Sequence, residues 1–588
     1  MINLRKEVML GILISSWLLL LPPAFSQRLQ IHRVSDKPLI PPSKGYPGHC
    51  WFPNGNLNPA PVVAKVNGRM NLLLFYRASM PLAGTGNETG GLGLWSLPLS
   101  KVSSFSDLME QENYTKQPSA VLTVADYLRA GIDDIGIEGS GPRLADPNIY
   151  VDSLPSRQTD ILYLTHKFKY VGQNPNSIYT VAAKSTDGGQ SWTPLGRLRA
   201  EGKPVSMAPA IWRHDNAWHA IGGNGHVRNY YYQDDPRYAQ CPTDWKLMGE
   251  AWKPQTAQQQ FRQITTRVTV EGEFVYAWVA VTPRHGKMKV HNDWPETVSL
   301  YRAKLSELGK NYAYRKKDGQ LTWEEYPYNP VFIRGAAGTQ EEAALWSFNV
   351  VKIPGEKFHL VCWEAAGSWN APGGSRQSDR WRDAWWAGPA NGKSPYGYAG
   401  YNRTGYSSCF AAKLNASSLG EVWDADIKKA PLFKESFVLR NKETKKYLLL
   451  PASVGSAVEQ TANIKKAAVF SAVPAYRNAK SCNFWYMERA GSNGLVLASP
   501  GIGKEEDVLL QAMPVDIDPM NPSDINAGKD KQWHPVLYEH QGDALIGLQN
   551  RFTGCFLDAS SSGNNVKCRK WADSLSQKWL LCSPGTGL

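Results

Sequence analysis

Between about residue 50 and residue 432 the apolar and polar positions repeat in five units. Each has a leading strand, a short polar turn, a strongly apolar middle strand, and a third strand that runs toward a tryptophan. The first unit reads Asn58 to Val63, Leu72 to Tyr76 and Leu94 to Leu97, and the second Asp146 to Val151, Ile161 to Leu164 and Ser177 to Ala182. The third runs Ala208 to Trp212, Ala217 to Ile221 and Tyr230 to Tyr232, with Trp245 beyond. The fourth runs Thr266 to Val270, Phe274 to Trp278 and Ser299 to Lys304, with Trp323 beyond. The fifth is Ser347 to Val351, Phe358 to Trp363 and Ser408 to Lys413, with Trp423 beyond. Five sheets of this kind close into a five-bladed β-propeller.

From about residue 433 the pattern changes to three shorter units that end in Asn483-Phe484-Trp485, Lys531-Gln532-Trp533 and Gln577-Lys578-Trp579, with tryptophans 48 and 46 residues apart. The chain therefore reads as all-β, with a propeller over residues 27–432 and a threefold domain over 433–588. Ahead of both, Arg5 and Lys6 precede an apolar run from Met9 to Leu21, followed by the small residues around Ala24 and Ser26. Residues 1–26 are expected to be a secretory signal peptide, and the mature protein to be secreted or periplasmic and monomeric. The run is too short for a comfortable membrane span.

Removing residues 1–26 takes away Arg5, Lys6 and Glu7 and lowers the formal charge from +13 to +12. A basic surface suits an acidic partner. There is no basic helix, Arg-rich tail or zinc-type Cys/His spacing to support nucleic acid, so a carbohydrate partner, an acidic polysaccharide included, is the expectation. The 22 Trp and 26 Tyr are consistent with rings that stack on sugar faces, and equally with strand packing. Cys362 and Cys409 fall on adjacent strands of the fifth unit, which permits either a cross-strand disulfide or two buried thiols.

Ser185-Thr186-Asp187-Gly188-Gly189-Gln190-Ser191-Trp192 fills every position of Ser-x-Asp-x-Gly-x-Ser/Thr-Trp and resembles the Asp-box turn of sialidase-like propellers. Its chemistry predicts that Asp187 accepts backbone N–H groups of a tight turn, that the glycines take φ > 0, and that Trp192 plugs the gap between neighbouring blades. The C-terminal region resembles the ricin-type β-trefoil lectin. Only the third unit, with Asn550 and Gly554-Cys555-Phe556-Leu557-Asp558, is close to the family pattern. The resemblance implies at most one sugar site, at Asp558 and Trp571, and a trefoil that only packs against the propeller is the alternative.

Five-bladed propellers resemble the clan of glycoside hydrolase families 43, 32 and 62, and Arg143-Leu144-Ala145-Asp146-Pro147 looks like their second-blade Arg-x-x-Asp-Pro turn. The resemblance implies a first-blade carboxylate and a third-blade glutamate as well. This chain departs from it, with Asn58 in the first blade and Met207-Ala208-Pro209 in the third. Glycosidic hydrolysis normally needs two carboxyl groups in different protonation states. The cross-pocket pair that can be built is Asp146 with Glu341 or Glu342, although Glu341-Glu342 also reads as a solvated acidic step and Asp146 as a turn residue before Pro147. Candidate substrate-binding residues are Asn58, Arg143, Arg262, Arg267 and Trp346 near the axis, with Trp381 and Trp385 in the long insertion from Ala365 to Tyr406. No cofactor is identified; in this clan a structural calcium is common on the axis.

The function expected is a secreted glycoside hydrolase acting on a complex glycan, acidic glycans included, with the trefoil as its carbohydrate-binding module. Two alternatives stay open. A propeller polysaccharide lyase acting on a uronate would use His166, His219, His226, Tyr230 and Tyr231, and a non-catalytic glycan-binding protein would need no carboxylate pair.

Overall fold

Alternating apolar positions pack each of the five units into an antiparallel sheet, and the sheets stand around a common axis in the computed structural model. The structure describes residues 29–35, 37–40, 58–81, 88–132, 140–171, 179–205, 209–223, 227–252, 261–283, 297–335, 344–366, 407–428, 433, 436–475, 484–492, 494–499, 508–514, 529–541, 543–551, 553–559 and 563–584. The inner strands are Ala60–Val66, Ser140–Asp152, Ala210–His214, Phe261–Glu271 and Ala344–Lys352, and they define blades 1 to 5. Each touches the next, and the fifth touches the first, so the ring is closed.

The ring closes on an element that pattern alone does not reveal. Blade 5 takes its outer strand from Ile31–Arg33, which pairs antiparallel with Ser407–Leu414 through Ile31 and Leu414. Trp423 lies instead on a helix, Leu419–Lys428. Blade faces are apolar on both sides and bury against one another in five junction clusters. Blades 1 and 2 share Phe75, Leu162, Val181 and Trp192, and blades 3 and 4 share Trp212, Trp252, Tyr301 and Trp323.

The turn at 185–192 forms as its chemistry dictates. Asp187 accepts from the backbone N–H groups of Gln190 and Ser191, each at 3.0 Å, and from the Ser191 hydroxyl at 2.5 Å. Gly188 and Gly189 adopt φ of 75° and 84°, and a Cβ on Gly189 would collide with the Phe75 ring. Trp192 donates to Gly189 O at 3.1 Å and stands edge-on to Phe75, plugging the blade 1–2 junction.

C-terminal to the ring the chain forms a β-trefoil. Leu448, Leu497 and Leu557 meet Trp485, Trp533 and Trp579 in one core. The indoles of Trp533 and Trp579 make the same contact in their own units, donating to Leu497 O at 2.9 Å and Leu557 O at 3.1 Å. Asn441 and Asn550 likewise both brace a turn, accepting backbone N–H groups at 3.0 Å. The trefoil is seated against the ring: Ala475, Phe484, Tyr486 and Val496 join the blade 3–4 cluster, and Gln549 Nε2 donates to Arg334 O at 2.9 Å.

Cys362 and Cys409 are both buried thiols. Cys362 faces Ala411 and Cys409 faces Glu364 across the ladder, so the two are diagonal neighbours rather than a directly opposed pair. No helix among the described residues is long and apolar enough to cross a membrane.

Candidate active site

Three consecutive blades break their inner strands at the same level. Asn58, just ahead of Ala60, and Asp146 and Ser347, within the inner strands of blades 2 and 5, have φ of 32°, 53° and 50°. Left-handed backbone disfavours residues with a Cβ, least so Asn and Asp. The pairing register slips at the same places, between Ala145 and Asn148 in blade 2 and between Trp346 and Asn349 in blade 5; blade 4 slips between Gln263 and Thr266. Bulges of this kind re-aim side chains that a regular strand would send into the blade faces.

The re-aimed side chains meet one another. Asn58 donates to Glu364 Oε2 from its backbone N–H at 3.1 Å and from Nδ2 at 2.5 Å, and Nδ2 also lies 3.1 Å from Ser347 Oγ. Its Oδ1 accepts the backbone N–H of Asp146 at 3.3 Å. Arg267 Nη2 donates to Ser347 Oγ at 2.9 Å and Nη1 to Thr266 O at 3.1 Å. Lys167 Nζ stands 3.7 Å from Asp146 Oδ2. Burial lowers the Arg267 pKa to about 10, against the opposing pull of Asp146 and Glu364. The guanidinium therefore stays charged at neutral pH, and the cluster sets two carboxylates against two cations.

Of the residues singled out in the sequence, the fold brings Asp146, Asn58 and Arg267 together, with Trp346 directly across the ladder from Glu364. Asn58 and Arg267 are each 3% exposed and form the buried part of the cluster, whereas Asp146 is only partly buried. Arg143 and Arg262 lie on the inner strands of blades 2 and 4, but their side chains are outside the described residues, as are Glu341, Glu342, Trp381 and Trp385. Sequence reasoning missed Glu364, Ser347 and Lys167. Glu364 left a signal, because it is the one carboxylate in the otherwise apolar run from Leu360 to Ala366.

The residues a lyase would need are dispersed. His219 Nδ1 contacts the Tyr230 hydroxyl at 2.7 Å inside the blade 3–4 junction, and His166 Nε2 meets the Tyr127 hydroxyl at 2.6 Å inside the blade 1–2 junction. Tyr231 packs with Trp218 in a third junction, between blades 2 and 3, and His226 is outside the described residues. The described residues contain no group of three or more His, Cys, Asp and Glu able to hold a metal ion, and Lys167 and Arg267 make the axial cluster a poor seat for a divalent cation.

In the trefoil, Asp558 is 3% exposed. Ser576 Oγ donates to it at 3.4 Å, Arg569 Nη1 is 3.8 Å away, and burial pushes its carboxyl up. Trp571 is half-buried beside Tyr538.

No protein-family model matches this chain, and no curated protein sequence matches it. Among solved structures, it is similar to a family 43 β-1,3-galactosidase at 11% identity, covering 92% of this chain and 95% of that one with a TM-score of 0.32. It is similar to a Bombyx mori family 32 β-fructofuranosidase at 10% identity, over 98% and 97% of the two chains with a TM-score of 0.35. A β-trefoil protein matches at 11% identity over 26% of this chain and 96% of its own, with a TM-score of 0.21.

Proposed function

We propose that the protein is an exported glycoside hydrolase that acts on a complex, acidic glycan in the axial pocket of the propeller. The observation that carries this reading is the placement of Asp146. A left-handed bulge lifts its carboxylate out of the blade face, the Asn58 side chain fixes its backbone, and Lys167 stands 3.7 Å from it. A carboxylate held that way on the axis of a five-bladed ring is costly to build and serves no junction between blades.

Hydrolysis of a glycosidic bond needs one carboxyl group to protonate the departing oxygen as the C–O bond breaks, and a second, ionised, to assist at the anomeric carbon. Asp146 takes the ionised role. Glu341 or Glu342, on the segment that leads into the inner strand of blade 5, takes the acid role. Glu364, wholly buried and bound by Asn58, is a positioning residue that ties blade 5 to blade 1. The trefoil acts as a carbohydrate-binding module, with Asp558 and Trp571 at its sugar site, and raises the local substrate concentration by holding a second point of the same glycan. Release of reducing ends from a panel of polysaccharides, without the ultraviolet absorbance of an unsaturated product, tests the reading.

A further inference from the structure

A small cavity lies in the blade 1–2 junction, lined by Leu122, Leu144, Leu164, His166 and Pro147, the residue after Asp146. One cation projects into it. Arg77, at the end of the well-packed part of the middle strand of blade 1, also lines this cavity and is 6% exposed. Its Nε is buried without a hydrogen-bond partner, and no described carboxylate pairs with its guanidinium.

That situation is unusual. A buried guanidinium is normally paired, because an isolated charge loses its hydration with nothing in return. Arg77 stands two ladder steps past the Ala60–Phe75 pair, level with Asn58, at the place where blade 2 carries Lys167 and blade 5 carries Glu364. Lys167 and Glu364 are both engaged at the axis. Arg77 is the charge in this set without a counter-charge among the described residues.

We infer that Arg77 is the recognition site for the carboxylate of an acidic sugar, so that the substrate class is a uronic-acid-containing glycan. A guanidinium matches a carboxylate with two parallel N–H···O bonds. The cavity adjoins Pro147, so a carboxylate that reaches Arg77 belongs to a sugar whose ring lies beside Asp146. His166 supplies a second contact: when the Tyr127 hydroxyl donates to Nε2, the proton of the neutral ring sits on Nδ1 and can be offered as a donor. This inference rests on the reading of the axial pocket as a sugar site, but not on which carboxyl group does the chemistry.

The test is binding of D-glucuronate and D-galacturonate, against glucose, galactose and inorganic sulfate, to the full-length protein and to Arg77→Met and Asp146→Asn. The wild type and Asp146→Asn should prefer a uronate over its neutral counterpart by tenfold or more, and Arg77→Met should lose that preference. Arg77→Met should also melt no lower than the wild type, since it replaces an unpaired buried charge by an apolar chain of similar length. Equal binding of uronate and neutral sugar by the wild type, preference for sulfate over uronate, or an unchanged preference in Arg77→Met would overturn the proposal. Hydrolysis of neutral glycans untouched by Arg77→Met would leave the hydrolase reading standing while this one fell; uronate binding through Arg77 with no hydrolysis of any glycan would do the reverse.

Discussion

Asn58 and Glu364 are joined twice through one carboxylate oxygen, which accepts the Asn58 backbone N–H at 3.1 Å and its amide Nδ2 at 2.5 Å. Blade 1 and blade 5 are thereby tied at the axis by charge-assisted bonds, and the same Asn58 side chain reaches on to Asp146 in blade 2. The amide is what makes this link possible. It donates to one carboxylate and accepts from the backbone of another acidic residue, which no carboxylate could do.

Asn58→Asp should therefore be destabilising, although it restores the residue type expected at this place. It would set a second negative charge against Glu364 in a buried site and remove the Nδ2 donor, at a cost of about 3 kcal/mol. Thermal melts at pH 7 and pH 4 check this: the loss should be large at pH 7 and smaller at pH 4, where one of the two carboxyl groups takes a proton.

Buried histidines set the acid limit of the fold. Burial lowers the pKa of His166 to about 3 and of His219 to about 4. The unfolded chain binds a proton at each below about pH 6.5, while the folded chain does not until the pH reaches the lowered value. Their contribution is therefore complete above pH 6.5 and is lost as the pH falls from there toward 4 and then 3. Between pH 6.5 and 5 each should remove about 2 kcal/mol of stability. Urea denaturation across that range should show the fall, and a variant in which Phe replaces His219 should show a shallower one.

Asp187→Ala removes the acceptor of four bonds in the 185–192 turn and should cost about 2 kcal/mol. The turn lies at the outer side of blade 2, away from the axis, so turnover per folded molecule should be unchanged. Denaturant midpoints and activity measured on the same preparations separate the two effects.

The blade strands were legible because each buries both faces and so reads as an apolar run at regular distance from a turn. The plug at Trp192 was legible because every residue of its turn is dictated by backbone geometry. Closure of blade 5 by Ile31–Arg33 was not, since three residues carry no periodicity and their partner lies near Leu414, at the far end of the ring. Half of the candidate site was visible for a related reason. Asp146 and Asn58 open apolar runs that pattern can locate, whereas Ser347 and Lys167 gain their meaning from bulges and left-handed residues that only the folded backbone displays. Glu364 could have been found as the lone carboxylate in an apolar strand.

The central claim is that the Asp146 carboxylate performs chemistry on a glycan at the axis. The most direct measurement is kcat/KM of the wild type and Asp146→Asn on the polysaccharide that gives most reducing ends in a panel, with ultraviolet absorbance followed in parallel. The predicted result is reducing-end release without an unsaturated product, and a loss of at least about 100-fold in Asp146→Asn at an unchanged melting temperature. Full activity in Asp146→Asn, or an unsaturated product from the wild type, would contradict it.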